Sequence, residues 1–599
     1  MNFTSENVTR ALTYDIDRYE HTLARYLSGD LDPDEFRIFR LGYGIYGQRQ
    51  GGDQQMVRVK LPGGTILPDH FEALATASTK YSRGFGHITT RQNIQFHFVA
   101  LEDTPKILRE LAQVGLTSRE ACGDTVRNIT GCPYAGYCPS EVLDITPWVQ
   151  ETFSTLLRHP YGQRLPRKFK INFSGCKIDC GQASFNDVGV VACTRPSPDR
   201  EDELGFKVFL GGGLGANPKP AIVLEDFTPA DQLLATIEAA LRTFDHYGNR
   251  ENKVRARMKW LVESLGSDEL RSRVLKERKY LIASASYPQL SNYPDLVNTL
   301  VQNSVSKTPV SLSRRPGKAR PSGGDSPFEV WRYYNVLASR QNTHTSEPTN
   351  KFLVNVTVPL GDLTSRQFSG LGKIVRTYEL VAKTTNRQNI VLMDLEESQL
   401  ESLYQELDDL NLGNPGTDVA SDVVSCPGAE TCNLGITQSR ELARAITLEL
   451  SKQGLEDTEG IKINISGCTN SCGQHHYSDI GLSGAERRAH SRQAPGYQLY
   501  LGAHLGDDQV TFAKKTLRLP AKNTPEAVGR LVSWYREESR DGEDFSSWVD
   551  RRGGSKVLAK QLEDLDVFPP PETNPDYYMD YGESISYAAV VGEGECAGS

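Results

Sequence analysis

The 599-residue sequence has no run of eighteen apolar residues, so it predicts no membrane-spanning helix. It also lacks a basic start followed by an apolar segment, and acids among the first residues disfavour an organelle transit peptide. A net charge of −9 gives none of the positive excess that nucleic-acid binding requires. We therefore expect a cytoplasmic globular protein that has neither a membrane nor a nucleic acid as a partner, and whose cysteines stay reduced.

Eight of the 11 cysteines form two sets of four with matching spacing. In each set, five residues separate the first two cysteines, three separate the last two, and the flanking residues match, as in FSGCKIDCGQ and ISGCTNSCGQ. Four thiolates from two loops can hold zinc or an iron–sulfur cluster. The wide gap and the adjacent glycines favour a cluster over zinc, and buried thiols without a metal would not explain the repeated spacing. The sets are Cys132, Cys138, Cys176 and Cys180, and Cys426, Cys432, Cys468 and Cys472.

The two cysteine sets belong to a larger internal duplication. TTRQNIQFHF, which begins at Thr89, parallels TTNRQNIVLM, which begins at Thr384, and FLGGGLG parallels YLGAHLG at a similar offset. Alternation over 95–99 predicts a strand, and apolar spacing over 105–114 predicts a helix. A strand-and-helix unit therefore precedes each cysteine unit, and a ligand could bind between the two copies.

The segment CPGAETC…ISGCTNSCGQ resembles the signature of sirohaem-containing nitrite and sulfite reductases. TTRQNIQFH and LPRKFKINF resemble the anion-site segments of that family. The resemblance implies an α/β (α+β) fold, internally duplicated, with two ferredoxin-like half-domains and two sirohaem/[4Fe-4S] domains related by pseudo-two-fold symmetry. The expected boundaries are 35–116 and 346–412 for the half-domains, 117–280 and 413–555 for the cluster domains, 281–345 for a linker and 556–599 for a tail.

The resemblance also implies the cofactors and the reaction. In the family, four cysteines bind a [4Fe-4S] cluster and the last one bridges to the sirohaem iron, which here corresponds to the set ending in Cys472. The implied reaction is the six-electron reduction of sulfite to sulfide, or alternatively of nitrite to ammonia.

Basic residues are implied to bind and protonate the anion: Arg91, Arg127, Lys168 and Lys170. Because Lys168 and Lys170 alternate with Phe169, an extended chain would place both ammonium groups on one face. Motif position further suggests sirohaem-binding roles for Arg49, Arg58, Gln92, Asn93, Arg387, Gln388 and Asn389.

The first cysteine set departs from the family pattern, because most single-chain members have lost it. A second cluster at Cys132, Cys138, Cys176 and Cys180 is therefore a hypothesis, and four thiols without a metal are the alternative. Arg387 matches Arg91 and Lys462 matches Lys170, but Gly460 occupies the position of Lys168. We therefore expect a relay or structural cluster there and no second reduction site.

Two further features bear on the substrate and the donor. Tyr46 and Cys122 match positions that form a covalent link in some sulfite-reducing members, which favours sulfite. GGGLG does not fit a dinucleotide fingerprint, so electrons would come from an external donor, by family analogy ferredoxin or a flavoprotein. The alternatives are a non-catalytic two-cluster electron-transfer protein and a zinc-stabilised scaffold, and the four basic residues argue against a mere carrier. Cys193 and Cys596 have no assigned role.

Overall fold

The computed structural model describes residues 6–196, 202–284, 321, 324–339, 351–505, 510–592 and 594–595. Cys596 and most of the predicted linker lie outside the described residues. Within the described ranges, every helix is too short or too polar to span a lipid bilayer.

The first half of the chain begins with three helices and continues into two sheet-containing units. Asp32 caps the third helix by accepting hydrogen bonds from the backbone N–H groups of Asp34 and Glu35. The helices are Glu6–Leu12, Tyr14–Leu27, Pro33–Leu41, Pro68–Tyr81, Thr104–Ala112, Thr146–Leu156, Leu233–Tyr247, Met258–Leu265 and Ser267–Ala283. The strands are β1 (Ile45–Gly47), β2 (Gln54–Val59), β3 (Thr65–Ile66), β4 (Phe85–Ile88), β5 (Ile94–Ala100), β6 (Thr130–Gly131), β7 (Ile171–Ser174), β8 (Val188–Arg195), β9 (Glu203–Leu210) and β10 (Ile222–Pro229).

The second half repeats this order. Its helices are Pro327–Asn335, Ser365–Thr377, Leu400–Asp409, Ser439–Lys452, Thr524–Glu538, Phe545–Arg551 and Ser555–Gln561. Its strands are β11 (Val336–Ala338), β12 (Lys351–Val356), β13 (Asp362–Thr364), β14 (Val381–Thr384), β15 (Ile390–Glu396), β16 (Val424–Ser425), β17 (Ile463–Ser466), β18 (Ile480–Ala489), β19 (Arg492–Leu501), β20 (His504–Leu505), β21 (Val510–Thr511) and β22 (Lys514–Pro520).

The two half-domains exchange edge strands. One sheet has the order β1-β2-β5-β4-β13 and the other has the order β11-β12-β15-β14-β3, so each sheet receives one strand from the other copy. Phe71 and Phe96 of the first copy and Phe368 and Leu392 of the second lie in one shared core. Neither half-domain therefore completes its sheet alone.

The two cluster domains have separate cores and matching sheets. Their strand orders are β10-β9-β8-β7-β6 and β16-β17-β18-β19-β22. In each sheet, three parallel strands (β6, β7 and β8; β16, β17 and β18) lead into an antiparallel hairpin. The first cysteine of each set directly follows the shortest parallel strand. The duplicated α/β fold predicted from the sequence is confirmed.

Two predicted boundaries differ from the structure. Residues 327–338, predicted as linker, form a helix and the edge strand β11, and Trp331 is fully buried in the half-domain core. Residues 556–565, predicted as tail, contribute Leu558 and Leu562 to the core of the second cluster domain. These apolar residues are surrounded in the sequence by polar residues, prolines and glycines, so the composition of the segments did not predict that they belong to a domain core.

Candidate active site and metal centre

The cysteine set of the second copy converges at the ends of β16 and β17. The Cys426 backbone N–H donates to the Ile465 carbonyl at 3.2 Å, and the Gly467 N–H donates to the Cys426 Sγ at 3.2 Å. Burial, followed by repulsion from Cys472, raises the pKa of Cys426 to about 12. Burial and then Cys472 likewise raise the pKa values of Cys432 and Cys468, so all four thiols lie near one another.

Glycine beside the last cysteine is required by close packing. A Cβ atom on Gly473 would lie 1.9 Å from the Ile465 carbonyl oxygen, a separation that no side chain can occupy. The Gly473 N–H donates to the Ser466 Oγ at 3.0 Å, and its carbonyl accepts from the Asn464 amide at 2.8 Å. The Cys472 turn is therefore held directly against β17.

Arg91 is a half-buried cation, and the preceding Thr90 contacts Cys472 of the opposite copy. Its Nη1 donates to the Asn172 Oδ1 at 2.9 Å and its Nη2 donates to the Asn128 carbonyl at 2.8 Å. Its Nε is buried without a hydrogen-bond partner among the described residues. Burial, followed by repulsion from Arg127 and other cations, lowers the pKa of Arg91 to about 9. This arrangement leaves positive charge available to an anion.

The three other predicted basic residues lie around Arg91. Arg127 is held by the Gly123 and Ala121 carbonyls, to which its guanidinium donates at 2.8–3.2 Å. Phe169 is fully buried, and the lysines on either side of it are half-buried. The alternation predicted for this segment is therefore confirmed, although only Phe169 forms a β-bridge and β7 begins at Ile171.

The lysine pKa values place both ammonium groups in the same site. Burial lowers the pKa of Lys168 to about 8, with Arg127 and Arg257 contributing, whereas Cys472 acts in the opposite direction. Burial also lowers the pKa of Lys170 well below its ordinary value, and Arg91 adds to this effect. Lys168 therefore lies near the last cysteine of the second copy, and the hydrogen bond of Thr90 to the Cys472 carbonyl brings the Arg91 loop to the same place.

One basic residue of this site escaped prediction. Arg257 forms a bidentate ion pair with the fully buried Asp187, with Nη2–Oδ2 and Nη2–Oδ1 distances of 2.8 and 3.0 Å. The Asp187 Oδ2 also accepts the Lys170 N–H at 3.0 Å. Asp187 thus orients the Arg257 guanidinium and fixes the backbone at Lys170. Only tertiary folding brings Arg257 here, and no motif in the sequence marks it.

The predicted amide ligands Gln92 and Gln388 contact both copies. The Gln92 Nε2 donates to the Thr384 carbonyl and the Gln388 Nε2 donates to the Ile88 carbonyl, each at 3.0 Å. Within their own copies, the Gln92 Oε1 accepts the Gly131 N–H at 3.0 Å, and the Gln388 Oε1 accepts the Ser425 N–H at 2.9 Å, which positions the residue before the first cysteine of each set.

The two predicted asparagines differ in their contacts. Asn389 donates to the Asp422 carboxylate at 3.0 Å, whereas the Asn93 Oδ1 is buried without a hydrogen-bond partner among the described residues. The sirohaem-binding roles of all four amides stay predictions.

The predicted arginine ligands divide among three places. Arg49 donates to the Gly435 carbonyl at 2.6 Å and to the Val590 carbonyl at 2.5 Å, so it joins the cysteine loop to the C-terminal segment. Arg58 donates to the Ala121 carbonyl at 3.3 Å and is close enough to Arg91 to lower its pKa. Arg387 lies in the opposite pocket, beside the first cysteine set.

Tyr46 and Cys122 lie in one small apolar cluster. Cys122 is fully buried with Leu41 and Met56, and Tyr46 packs against this group. The structure thus brings the two predicted partners together. Their covalent bond stays a prediction.

The loop contacts cross between the copies. The Thr90 Oγ1 donates to the Cys472 carbonyl at 2.9 Å, and the Asn386 Nδ2 donates to the Cys180 carbonyl at 2.7 Å. Each copy therefore completes the site of the other, as expected for a ligand bound between two copies.

The site residues fit the cofactors implied by the sequence. Four thiols supply the ligand set of a [4Fe-4S] cluster, and Gly473 lets the turn that carries Cys472 pack against β17. The Arg91 Nε has no hydrogen-bond partner among the described residues and lies near other cations. These groups fit the binding of an anion, either a sirohaem carboxylate or the substrate.

Comparisons with known proteins agree with this geometry. The family model described as "Nitrite and sulphite reductase 4Fe-4S domain" matches residues 122–281 and 416–567, and that described as "Nitrite/Sulfite reductase ferredoxin-like half domain" matches 46–114 and 344–410.

Relatives of both substrate types are similar over most of the chain. The assimilatory ferredoxin-dependent nitrite reductase of Haloferax mediterranei is 31% identical, covering 86% of this chain and 85% of its own. The ferredoxin sulfite reductase of Mycobacterium tuberculosis is 27% identical, covering 89% and 92%. The solved structure of the Mycobacterium tuberculosis NirA protein has a TM-score of 0.69 at 26% identity, covering 87% and 91%. The chain therefore belongs to the nitrite and sulphite reductase family, and it is an oxidoreductase whose cofactors are sirohaem and a [4Fe-4S] cluster.

Proposed function

We propose that this protein reduces sulfite to sulfide, taking six electrons from an external donor. The observation that carries the proposal is a cluster of cations, Arg91, Arg127, Lys168 and Lys170, in the copy whose Thr90 Oγ1 donates to the Cys472 carbonyl at 2.9 Å. A small oxyanion needs positive charge for binding and proton donors for the loss of its oxygens as water. A carrier protein needs neither, which disfavours the non-catalytic alternative.

The arginines are assigned to binding and the lysines to proton supply. The partly unpaired Arg91 guanidinium offers a directional donor to an anion oxygen. Each departing oxygen takes two protons to become water, so the donors beside it must be reloaded repeatedly. A pKa of about 8 lets Lys168 hold a proton near neutral pH and still release it, as a general acid must. Sirohaem coupled to the cluster supplies the electrons at the anion when both are bound.

Sulfite is the proposed substrate because Tyr46 packs against Cys122 beside this site. Nitrite is the second candidate, because the Haloferax mediterranei relative is named a nitrite reductase. Ferredoxin is the proposed donor, because the names of the relatives specify ferredoxin. A flavoprotein donor is the alternative, and the cytoplasmic location stays a prediction from the sequence.

The experiment compares turnover of both anions by the anaerobic holoenzyme with reduced methyl viologen. We expect a higher kcat/KM for sulfite than for nitrite, and the reverse ratio would select nitrite. Turnover of neither anion, by an enzyme whose cofactors are reduced, would overturn the proposal in favour of an electron carrier.

The residue assignment is tested with Lys170→Ala and its pseudo-equivalent Lys462→Ala. Both lysines have the same local frame, since each backbone N–H donates to an aspartate carboxylate, Asp187 at 3.0 Å and Asp479 at 2.8 Å. We expect turnover to fall about 10²–10⁴-fold in Lys170→Ala, with the haem spectrum retained, and little change in Lys462→Ala. Near-normal turnover of Lys170→Ala would contradict the assigned role.

A further inference from the structure

The cysteine set of the first copy is also gathered in one place. The Cys132 thiol is hydrogen-bonded to the Cys180 thiol. The Val142 N–H donates to the Gly175 carbonyl at 2.8 Å, which joins the loop of Cys138 to the turn of Cys176. Cys132, Cys138 and Cys176 are 2–7% exposed. Sequence spacing alone left open whether these thiols meet, and the fold brings them together.

The backbone frame around this set repeats that of the second copy. The Cys132 N–H donates to the Phe173 carbonyl at 2.9 Å, as Cys426 does to Ile465. The Gly181 N–H donates to the Ser174 Oγ at 3.0 Å, as Gly473 does to Ser466. A Cβ atom on Gly181 would also lie 1.9 Å from a strand carbonyl, that of Phe173. The first frame thus keeps the features that hold the cluster ligands of the second.

A buried cation lies beside the first set. The Lys383 side chain is 3% exposed and comes from the opposite copy. Its Nζ donates to the Ala135 carbonyl and to the Thr146 Oγ1, each at 2.9 Å. Burial lowers the pKa of Lys383, whereas Asp144 and, after it, Cys132 act in the opposite direction. An iron–sulfur cluster with four thiolates is an anion, so a buried ammonium group would stabilise it.

We propose that Cys132, Cys138, Cys176 and Cys180 hold a second [4Fe-4S] cluster. The family model of the 4Fe-4S domain matches both copies, and the backbone frame that the two sets share assigns the same type of cluster to both.

The first set does not form a second reduction site. Its neighbouring cavity of about 410 Å³ is lined by Cys180, Arg387 and Lys462. The Arg387 Nε, however, lies 3.1 Å from the Asp422 carboxylate and 3.4 Å from that of Asp418. Two carboxylates therefore neutralise the positive charge of the Arg387 guanidinium. At the equivalent position of the first copy, Arg91 contacts the backbone carbonyl of Asn128, as Arg387 contacts that of Asp422.

The turns that carry the two sets are joined directly. Gln182 and Gln474 are joined by side-chain hydrogen bonds, and each lies two residues after the last cysteine of its set. The second cluster would therefore lie on a turn that contacts the turn of Cys472, and a relay or structural role for it stays a prediction from the sequence.

The test is the iron and acid-labile sulfide content of the full-length holoenzyme purified without oxygen. With one sirohaem per chain, two clusters require about nine irons and one cluster requires about five. Nine irons with two cluster signals in the electron paramagnetic resonance spectrum of the reduced protein would support the proposal. Five irons, a zinc ion in the first set or a Cys132–Cys180 disulfide would overturn it.

A matched pair of variants assigns the signals. Cys138→Ser and Cys432→Ser remove equivalent cysteines, and Cys193→Ser removes one outside both sets. We expect Cys138→Ser to lose about four irons and one cluster signal while keeping the sirohaem spectrum. Retention of all iron in Cys138→Ser would overturn the assignment. The iron count of the unmodified protein decides the proposal even if a variant does not fold, and it is independent of which anion the enzyme reduces.

Discussion

Gln182 and Gln474 exchange two hydrogen bonds where the two copies meet. The Nε2 of each donates to the Oε1 of the other, at 2.9 and 2.8 Å, and both side chains are 7% exposed. Each residue has a left-handed backbone conformation, with φ of 62° and 63°. The pair therefore fixes the Cys180 and Cys472 turns relative to each other.

Replacement of one glutamine alone should cost more than half of the stability that replacement of both glutamines costs. Gln182→Leu leaves the Gln474 amide buried and unpaired, so we expect the free energy of unfolding to fall by about 1–3 kcal/mol. The double variant Gln182→Leu/Gln474→Leu should lose less than the sum of the single variants. Chemical denaturation of the anaerobic holoenzyme measures this cycle, and additive losses would contradict a direct coupling.

His70 should make the protein sensitive to acid. Its Nδ1 accepts the Leu67 N–H at 3.2 Å, and its Nε2 lies 3.1 Å from the Val114 carbonyl, so the neutral ring satisfies both contacts. Burial lowers the pKa of His70 from 6.5 to about 4.

The neutral His70 stabilises the fold fully above pH 6.5, and this contribution is lost as the pH falls towards 4. We expect it to be on the order of 3 kcal/mol. His70→Gln should therefore flatten the dependence of the unfolding midpoint on pH between 6.5 and 4, relative to the unmodified protein. His21→Gln, at an exposed position, is the control. An unchanged slope in His70→Gln would exclude this role.

Glu595 should hold the C-terminal segment over the cysteine loop of the second copy. Its carboxylate pairs with Arg40, with an Nη1–Oε2 distance of 2.8 Å, and accepts the Gly47 N–H at 2.7 Å. Three residues before Glu595, the Gly592 N–H donates to the Asn433 carbonyl at 2.9 Å. The segment thus lies next to Cys432.

Glu595→Ala leaves the Arg40 guanidinium without this partner, so docking of the segment should weaken by about 3 kcal/mol. We expect faster hydrogen exchange over 586–595 and faster bleaching of cluster absorbance in air. Glu572→Ala, at an exposed position of the same segment, should change neither rate. Equal exchange in both variants would show that the ion pair does not hold the segment.

Tyr46 and Cys122 should be covalently linked in the mature enzyme. Formation of the link removes two hydrogen atoms, so the joined tryptic peptides should weigh that much less than the sum of the separate ones. Tyr46→Phe should release both peptides at their unlinked masses. Separate unlinked peptides from the unmodified holoenzyme would contradict the link.

The sequence by itself determined those features that depend only on residues close together in the chain. The duplicated cysteine spacing, the glycine after Cys180 and Cys472, and the alternation around Phe169 follow from short-range geometry, and the structure has each of them. A motif of a few residues constrains its own turn or strand, which is why these predictions could be made without coordinates.

Only the tertiary structure decided how the copies complete each other. The exchange of β3 and β13, the Arg257–Asp187 pair and the compensation of Arg387 by Asp422 all join residues distant in the chain. Trp331 and Leu558 likewise became domain residues only through packing. Residue spacing specifies which groups are present, whereas their charge balance and burial depend on neighbours that the folded core brings together.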